Sequence, residues 1–355
     1  MARRVGIHDV ATAAGVSVTT VSHALNDRGQ VSAATRERVK LIAAELGYAP
    51  NRIASALRGR RSRLIGFVSD EIASTPFAGR LIAGAQDAAS ELDLLLMAVD
   101  SHGGAEVERR QIDALLAQQV DAIVYARMYH QYVDPPAALH TLPSILVDAV
   151  DRADAAASIV PDEQQIGALA TEHLLAAGHR RIVQLTIEEP SPAREGRESG
   201  FREALADRGL TGAIVRVPGI ADADAGRRAA QRAFDAHPGF TAAVCFNDQM
   251  AMGLYQVAGR HGLVIPEQLS VVGIDDFLPV SAGLDPGLTT VALPHYEMGR
   301  LAIERLEEAL RESAAQDAVV PGGESSDAAA GPASMTTRLQ CRLVVRDSVA
   351  SPAAE

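Results

Sequence analysis

Tryptophan is absent from this 355-residue chain, aromatic residues make up only 4% of it, cysteine occurs twice and lysine once, at Lys40. Each scarcity removes a class of function. The single lysine lies in no G-x-x-x-x-G-K-[ST] run, which excludes a Walker-type phosphate loop, and no G-x-G-x-x-G follows the first apolar strand. No G-x-S-x-G elbow, H-E-x-x-H pair or paired C-x-x-C occurs either, so the corresponding hydrolase and zinc chemistries have no starting residues. The histidines are scattered, and neither a metal cluster nor a cofactor is expected. Cys245 and Cys341 lie far apart in apolar, strand-like settings and read as two buried thiols. No apolar run approaches the roughly 18 residues that span a bilayer, and Met1 to Arg4 lead into a mixed helix, not an apolar signal segment.

Acidic residues are scarce only at the start. Residues 1–61 hold ten Lys/Arg against four acids, a net of +6, which leaves −18 for the remainder of a chain whose total is −12. A basic head on an acidic body suits a protein whose head seeks a polyanion while its body stays off it. Within the head, Ile7, Val10, Ala11 and Ala14 share one helical face, Gly15 turns the chain, and Ser17 caps a second helix, Val18 to Asn26, with the stripe Val18, Val21 and Leu25. A third helix, capped by Ser32 and closed by Gly47, is expected to bury Val39, Ile42 and Leu46. Two short helices around a glycine turn read as a helix-turn-helix. On the outer face of the second, Thr19 and His23 are four apart and point together, within reach of base edges in a major groove, while Thr20 and Ser22 suit phosphates. Plain solvation of that face is the other reading, and the residues by themselves leave the choice open.

Asn51 to Arg61 follows, reading NRIASALRGRR. Asn51 can cap a helix there, Ile53 and Leu57 share a face, and Gly59 ends it after barely two turns, too few for stability in water by itself. Such a segment is expected to fold or melt with what is bound on either side. Leu57, apolar among arginines, has no obvious core partner in the sequence.

From Leu64 the pattern changes to apolar strands alternating with helical stretches: LIGFVS, LLLMAV, DAIVYA, SILVD, RIVQLT, AIVRV, AAVCF and LSVVGID. Repeated βα units require a parallel sheet flanked by helices, and this many suit two stacked lobes. Polar residues stand where the strands finish, namely Asp70, Asp100, Asp148, Asn247 and Asp275. Carboxylates, an amide and an arginine suit a polyhydroxylated ligand, because they offer paired donors and acceptors to vicinal hydroxyls. Asp275 and Asp276, adjacent in a strand, point opposite ways and make a poor acid/base couple, so no enzyme is expected.

The run IHDVATAAGVSVTTVSHALNDRGQVSAATRERVKLIAAELGYAPNRIASALRGRRSRLIG resembles the N-terminus of LacI/GalR-type bacterial transcription repressors almost position by position. The resemblance implies major-groove contacts from Val18, Thr19 and His23, and a hinge helix from Asn51 to Arg58 that folds on the operator. Asn51, Arg52, Ala54 and Leu57 are its implied DNA contacts, with Leu57 as the minor-groove wedge. His23 stands where many members carry arginine. In the body, TPFAGRLIAGAQDAA, PDEQQIGALATEHLLAAGHRRIV, FNDQMAMG, VVGIDD and RLVVRDSV resemble the periplasmic-binding-protein-like sensor of the same family, so the resemblance covers nearly the whole chain. It implies effector contacts at Phe77 on the first lobe, Asp148 at the crossover, Ser191 and Arg197 on the second lobe, and Asn247 and Asp275. Gly219 to Asp222, where many members stack an aromatic ring, hold none, which favours a sugar or sugar derivative over a purine-like effector. His179, in GHRRI, is expected to end a helix and start a strand, not to bind.

The expected fold is therefore an N-terminal all-α helix-turn-helix domain plus an α/β periplasmic-binding-protein-like sensor with two doubly wound lobes. Its expected divisions are a helix-turn-helix at 1–49, hinge and linker at 50–62, effector binding and dimerisation at 63–346, and a tail at 347–355 without leucine heptads. Lobe 1 is assigned about 63–161 and 293–312, lobe 2 about 162–292 and 337–346, with a disordered insertion, rich in Ala, Gly, Ser and Pro, at 313–336. The expected activity is that of a ligand-responsive repressor: a homodimer on double-stranded, pseudo-palindromic operator DNA, released by a small effector, cytoplasmic and nucleoid-associated, with no membrane partner. An activator, or a corepressor-dependent regulator with a purine-like or other effector, is the alternative.

Overall fold

The computed structural model describes residues 5–25, 29–48, 61–72, 75, 78–319 and 336–352, and the chain divides at Ser62/Arg63 into two compact units. In the first unit, α1 (Ile7–Ala14), α2 (Val18–Leu25) and α3 (Ala33–Glu45) close around Val10, Ala11, Ala14, Val21, Ala24, Val39 and Ala43. The caps are local. Gly6 N–H donates to the Asp9 carboxylate at 2.8 Å, Ser17 Oγ accepts from Thr20 N at 3.0 Å, and Ser32 Oγ accepts from Thr35 N at 3.2 Å. Leu46, expected inside, is 38% exposed, because α3 ends at Glu45 and Tyr48 packs against the core instead.

The second unit holds two six-stranded sheets. The first is all parallel and contains β1 (Leu64–Ser69), β2 (Leu95–Asp100), β3 (Ala122–Val133), β4 (Ser144–Asp151), β5 (Ser158–Pro161) and β11 (Thr336–Leu339), in the order β11-β5-β4-β3-β1-β2. The second contains β6 (Ile182–Ile187), β7 (Ala213–Val217), β8 (Ala242–Cys245), β9 (Ser270–Asp275), β10 (Thr289–Ala292) and β12 (Arg342–Val344), in the order β12-β10-β9-β8-β6-β7, with β12 alone antiparallel. Central strands such as β1 and β6 are buried along their whole length because helices cover both faces, which is why they read as unbroken apolar runs. The first sheet packs α4 (Ala78–Glu91) and α11 (His295–Val319) on one face and α5 (Ala105–Ala117) on the other. The second packs α6 (Glu163–Ala176) and α7 (Pro192–Ala206) on one face and α8 (Ala223–Ala236) and α9 (Asp248–Arg260) on the other, and the short α10 (Leu278–Ser281) follows β9.

The chain passes between the sheets after Pro161, after Ala292 and after Leu339. Two of these passages are stapled together: Asp162 N donates to Leu339 O at 2.9 Å, and Gln165 both donates to Cys341 O at 3.1 Å and accepts from Cys341 N at 2.8 Å. Three assignments are corrected. Residues 337–339 belong to β11 in the first lobe, because Thr336 to Leu339 pair with Ser158 to Pro161. Residues 313–319 continue α11, since SAAQDAV contains no helix breaker; residues 320–335 of the expected insertion lie outside the described residues. The expected tail is packed through residue 350: Ser348 is fully buried, donating to Val271 O at 2.6 Å and accepting from Thr289 N at 2.8 Å, and Ala350 O accepts from His179 Nε2 at 2.9 Å.

Candidate functional site

Two sites emerge, one in each unit. In the first, α2 presents Thr19 and His23 to solvent, while Thr20 and Ser22 are half-buried. Val18 is also half-buried and packs on the core, so its display is partial. Thr20 Oγ1 lies 2.8 Å from Ser17 Oγ, which ties this hydroxyl to the cap. The sequence reading missed Gly29. Its φ is +65°, and a Cβ there would fall 2.5 Å from His23 Nδ1, so only glycine lets the imidazole rest where it does. Asn51, Arg52, Ala54 and Leu57 lie outside the described residues, as does Phe77.

In the second unit, polar side chains from both lobes meet where the passages run. The arrangement begins with a close helix crossing: a Cβ at Gly167 would fall 2.2 Å from Arg197 O, and one at Gly200 would fall 2.0 Å from Gln164 O. Because backbone meets backbone there, Glu163 at the start of α6 reaches Arg197 on α7, with Nε to Oε2 at 2.7 Å. The guanidinium also donates to Phe246 O at 2.6 Å and lies over the Phe246 ring, 4.6 Å from its centroid. From the other lobe, His130 brings Nδ1 to 3.2 Å from Glu163 Oε1. Burial works to raise the Glu163 carboxyl, but Arg197 and His130 outweigh it and hold it below its ordinary value.

Asp148 faces the same region from β4, within a strand of the first lobe and not at a lobe passage as expected. Its nearest partner is His295 Nε2 at 3.6 Å, and both are buried. Burial pushes Asp148 well above the ordinary carboxylate value, Glu163 adds to this and Arg197 opposes it. Burial presses the His295 imidazole down to about 4. Asp275, half-buried at the end of β9, is likewise raised by burial against the pull of Arg197, and its carboxylate has no side-chain hydrogen bond or ion pair among the described residues. Asp148 has φ +53° and Asp275 φ +110°, conformations that L residues adopt rarely and that concentrate at working sites.

The remaining expected residues take supporting positions. Ser191 caps α7 by accepting from Arg194 N at 3.2 Å, and Asn247 caps α9 by accepting from Met250 N at 2.8 Å while donating to Ala221 O at 2.8 Å. Asp100 is taken by a turn, accepting from His102 N at 2.9 Å. Asp276 points away from Asp275 and pairs with Arg346 at 2.6 Å. The extended β3 supplies residues the sequence reading did not foresee. An irregularity between Ala126 and Gln131 holds Arg127 and His130, and past it Tyr132 donates to Glu195 of the second lobe at 3.1 Å. Arg127 pairs with Glu108 at 2.8 Å and stacks 4.1 Å from the Tyr125 ring centroid, and Asp70 lies 3.8 Å away. A narrow gap within the first lobe, too small to hold a water molecule, is lined by Ala78, Leu81, Arg127, Met128, Asp148 and His295.

Comparison with known proteins follows the same division. Residues 6–51 match bacterial regulatory proteins of the lacI family, and residues 62–322 match periplasmic binding proteins and the sugar binding domain of the LacI family. The chain is 31% identical to the sucrose operon repressor of Escherichia coli over 96% of its own length and 99% of that protein. It is 31% identical to the maltose regulon regulatory protein MalI of Escherichia coli strain K12 over 90% of this chain and 97% of that protein. Among solved structures, the lac repressor dimer bound to operator and the anti-inducer ONPF superposes with a TM-score of 0.77 at 28% identity, covering 98% of this chain and 100% of that one. No helix among the described residues is long and apolar enough to cross a membrane.

Proposed function

Because the chain belongs to the LacI family of bacterial regulatory proteins, we propose that it is a dimeric transcriptional repressor whose grip on a pseudo-palindromic operator is released by a small effector, a sugar or sugar derivative. The observation that carries this reading is the buried polar cluster shared by two lobes, Asp148 and His130 from one and Glu163, Arg197 and Asp275 from the other. A ligand seated there contacts both lobes and therefore couples to their relative position. A sugar-sized molecule needs roughly 300 Å³ or more, and the gap beside Asp148 does not admit even a water molecule, so binding requires the lobes to part. On the DNA side, Val18, Thr19 and His23 are the base-reading residues, Thr20 and Ser22 lie beside phosphates, and Asn51, Arg52, Ala54 and Leu57 form the hinge contacts. Phe77, Ser191 and Asn247 complete the effector site. The exposed edge of β2, with Leu95 half in solvent, supports pairing of two copies through the first lobe. The protein acts in the cytoplasm, on the nucleoid, and performs no catalysis.

The sugar reading is favoured over a flat aromatic effector by Gly219 to Asp222, which offer Ile220, 76% exposed, in place of a ring. The test is fluorescence polarisation of a labelled operator with purified protein, titrated with mono- and disaccharides. Release by one of them is expected from the wild type and lost in Arg197→Ala, with operator affinity in the absence of sugar kept within about threefold. A variant that still responds normally removes Arg197 from the effector site. Tightening by the added ligand, in place of release, makes the protein a corepressor-dependent regulator.

A further inference from the structure

The first unit contains one close contact that its core does not need. His23, on the exposed face of α2, sets its imidazole against Gly29: a Cβ built there would fall 2.5 Å from Nδ1, 3.1 Å from Cγ and 3.2 Å from Cε1. Neither residue belongs to the hydrophobic core of the unit. Residue 29 is nevertheless a fixed surface. Its carbonyl accepts from Val31 N at 3.0 Å, Val31 packs against the core, and Ser32 caps α3 directly after it. The backbone of His23 is anchored in turn by Val21 and Ala24, which are fully buried on the inner face of α2. Two demands on residue 29 can be told apart. Its φ of +65° by itself admits asparagine, which visits the left-handed region readily. The imidazole admits no Cβ at all, unless the ring swings away. Nδ1 is the ring atom nearest residue 29, so Nε2 is the nitrogen turned away from it. An imidazole in this pose offers one hydrogen bond, not the paired bonds of a guanidinium fork, and a single bond discriminates bases only as far as its direction is fixed.

Resting on the reading of His23 as a base-reading residue, we infer that Gly29 is a positioning residue for operator specificity: it holds the His23 imidazole in the rotamer from which Nε2 meets a base edge, and through His23 it sets the preference at one base pair of each half-site. A side chain already held in its bound rotamer loses less freedom on the DNA, so the contact is made without a search. Any Cβ at residue 29 frees or displaces the ring and blurs that one pair, while Val18 and Thr19, remote from Gly29 on α2, go on reading theirs.

The test is selection from a pool of random DNA duplexes by purified full-length protein, read by sequencing, for wild type, His23→Ala, Gly29→Asn and the double variant. His23→Ala is expected to flatten one base pair in each half-site, which identifies the pair that His23 reads. Wild type should separate the best from the worst base there by about fivefold or more, and Gly29→Asn should bring that separation within about twofold while the other pairs keep theirs. On the wild-type selected duplex, Gly29→Asn weakens binding, but it adds no further loss to His23→Ala, because the ring it disturbs is gone. Gly29→Ala repeats the comparison without an amide that could make contacts of its own, and affinity for random duplex, held by phosphates, reports that each variant is folded. An unchanged selected motif in Gly29→Asn overturns the inference and leaves His23 as a reader. Blurring at every pair, or an added loss in the His23→Ala background, makes Gly29 a shaping residue of the whole domain and overturns it as well. If His23→Ala itself keeps the full motif, His23 reads no base, and its assignment falls together with the role of Gly29.

Discussion

At the scale of single residues, two buried groups pull the pH dependence of stability in opposite directions. His295 has its imidazole pressed by burial to about 4, below the ordinary value for histidine, so the unfolded chain binds the extra proton first. Its contribution is full above about pH 6.5 and is lost as pH falls through 4. Asp248 does the reverse. Burial raises it to about 7, although Thr290 Oγ1 and Phe277 N–H donate to it at 2.6 and 2.7 Å, so its contribution is full below about pH 4 and lost as pH rises through 7. The wild-type profile partly cancels, and the informative quantity is a difference between variants. His295→Gln is expected to lose less stability than wild type between pH 6.5 and 4, by up to roughly 1.4 kcal/mol per pH unit. Urea titrations at pH 4.5, 5.5 and 6.5 measure it, and parallel curves for the two proteins contradict the assignment.

Among the elements, the crossing of α6 and α7 sets the cleft's geometry. Gly200→Ala places a methyl group 2.0 Å from Gln164 O, a backbone atom that cannot swing aside, so the helices must separate. Overpacking of this kind costs about 1–3 kcal/mol, and it moves Arg197 off Glu163. Lower melting together with weakened effector binding is the expected result, and calorimetry of a sugar-responsive preparation reads both; unchanged values for the two show that the helices can adjust freely. This crossing also marks how far the sequence was legible. The alternation of apolar strands with helical stretches was enough for two α/β lobes, and strand ends carry Asn247 and Asp275 as expected, whereas Asp148 stands inside β4. Glu163 and His130 escaped notice because they meet across an inter-lobe seam, 33 positions apart, and Glu163 meets Arg197 across a helix crossing, 34 positions apart, neither of which periodicity encodes. Arg127 and His130 had a local signal, since YARMYHQYV is rich in strand formers after DAIVYA, but the reading stopped the strand at Ala126. Strand β11 follows a Gly/Ala/Ser-rich stretch and has only four residues, too short for alternation to stand out. Helix α11 was stopped early because its last turns lack an apolar stripe, although nothing in them breaks a helix.

For the whole molecule, the charge split and the lobe passages belong to one mechanism. A head of +6 gives any DNA a salt-dependent attraction, whereas a body of −18 confines that attraction to the head. Specificity then has to come from base edges and from deformation of the duplex. The passages at 161–163 and 339–342, joined through Gln165 and Cys341, make the two lobes a linked pair, so a ligand that parts them shifts the ends of the sensor together. The segment 51–61, which lies outside the described residues except for Arg61 and whose sequence allows barely two helical turns, is proposed as the gate on which such a shift acts. Leu57, outside the described residues, is where the proposal meets experiment. An apolar wedge exchanges a few kcal/mol of unstacking for a kinked duplex that touches more protein, and random DNA bound through phosphates does not use it. Leu57→Ala is therefore expected to weaken a pseudo-palindromic operator by about 1–3 kcal/mol, roughly tenfold to a hundredfold, with random-sequence affinity and its salt slope unchanged. Polarisation titrations on both duplexes at two salt concentrations separate the outcomes: an equal loss on operator and random DNA assigns Leu57 to packing and removes the hinge from the reading mechanism.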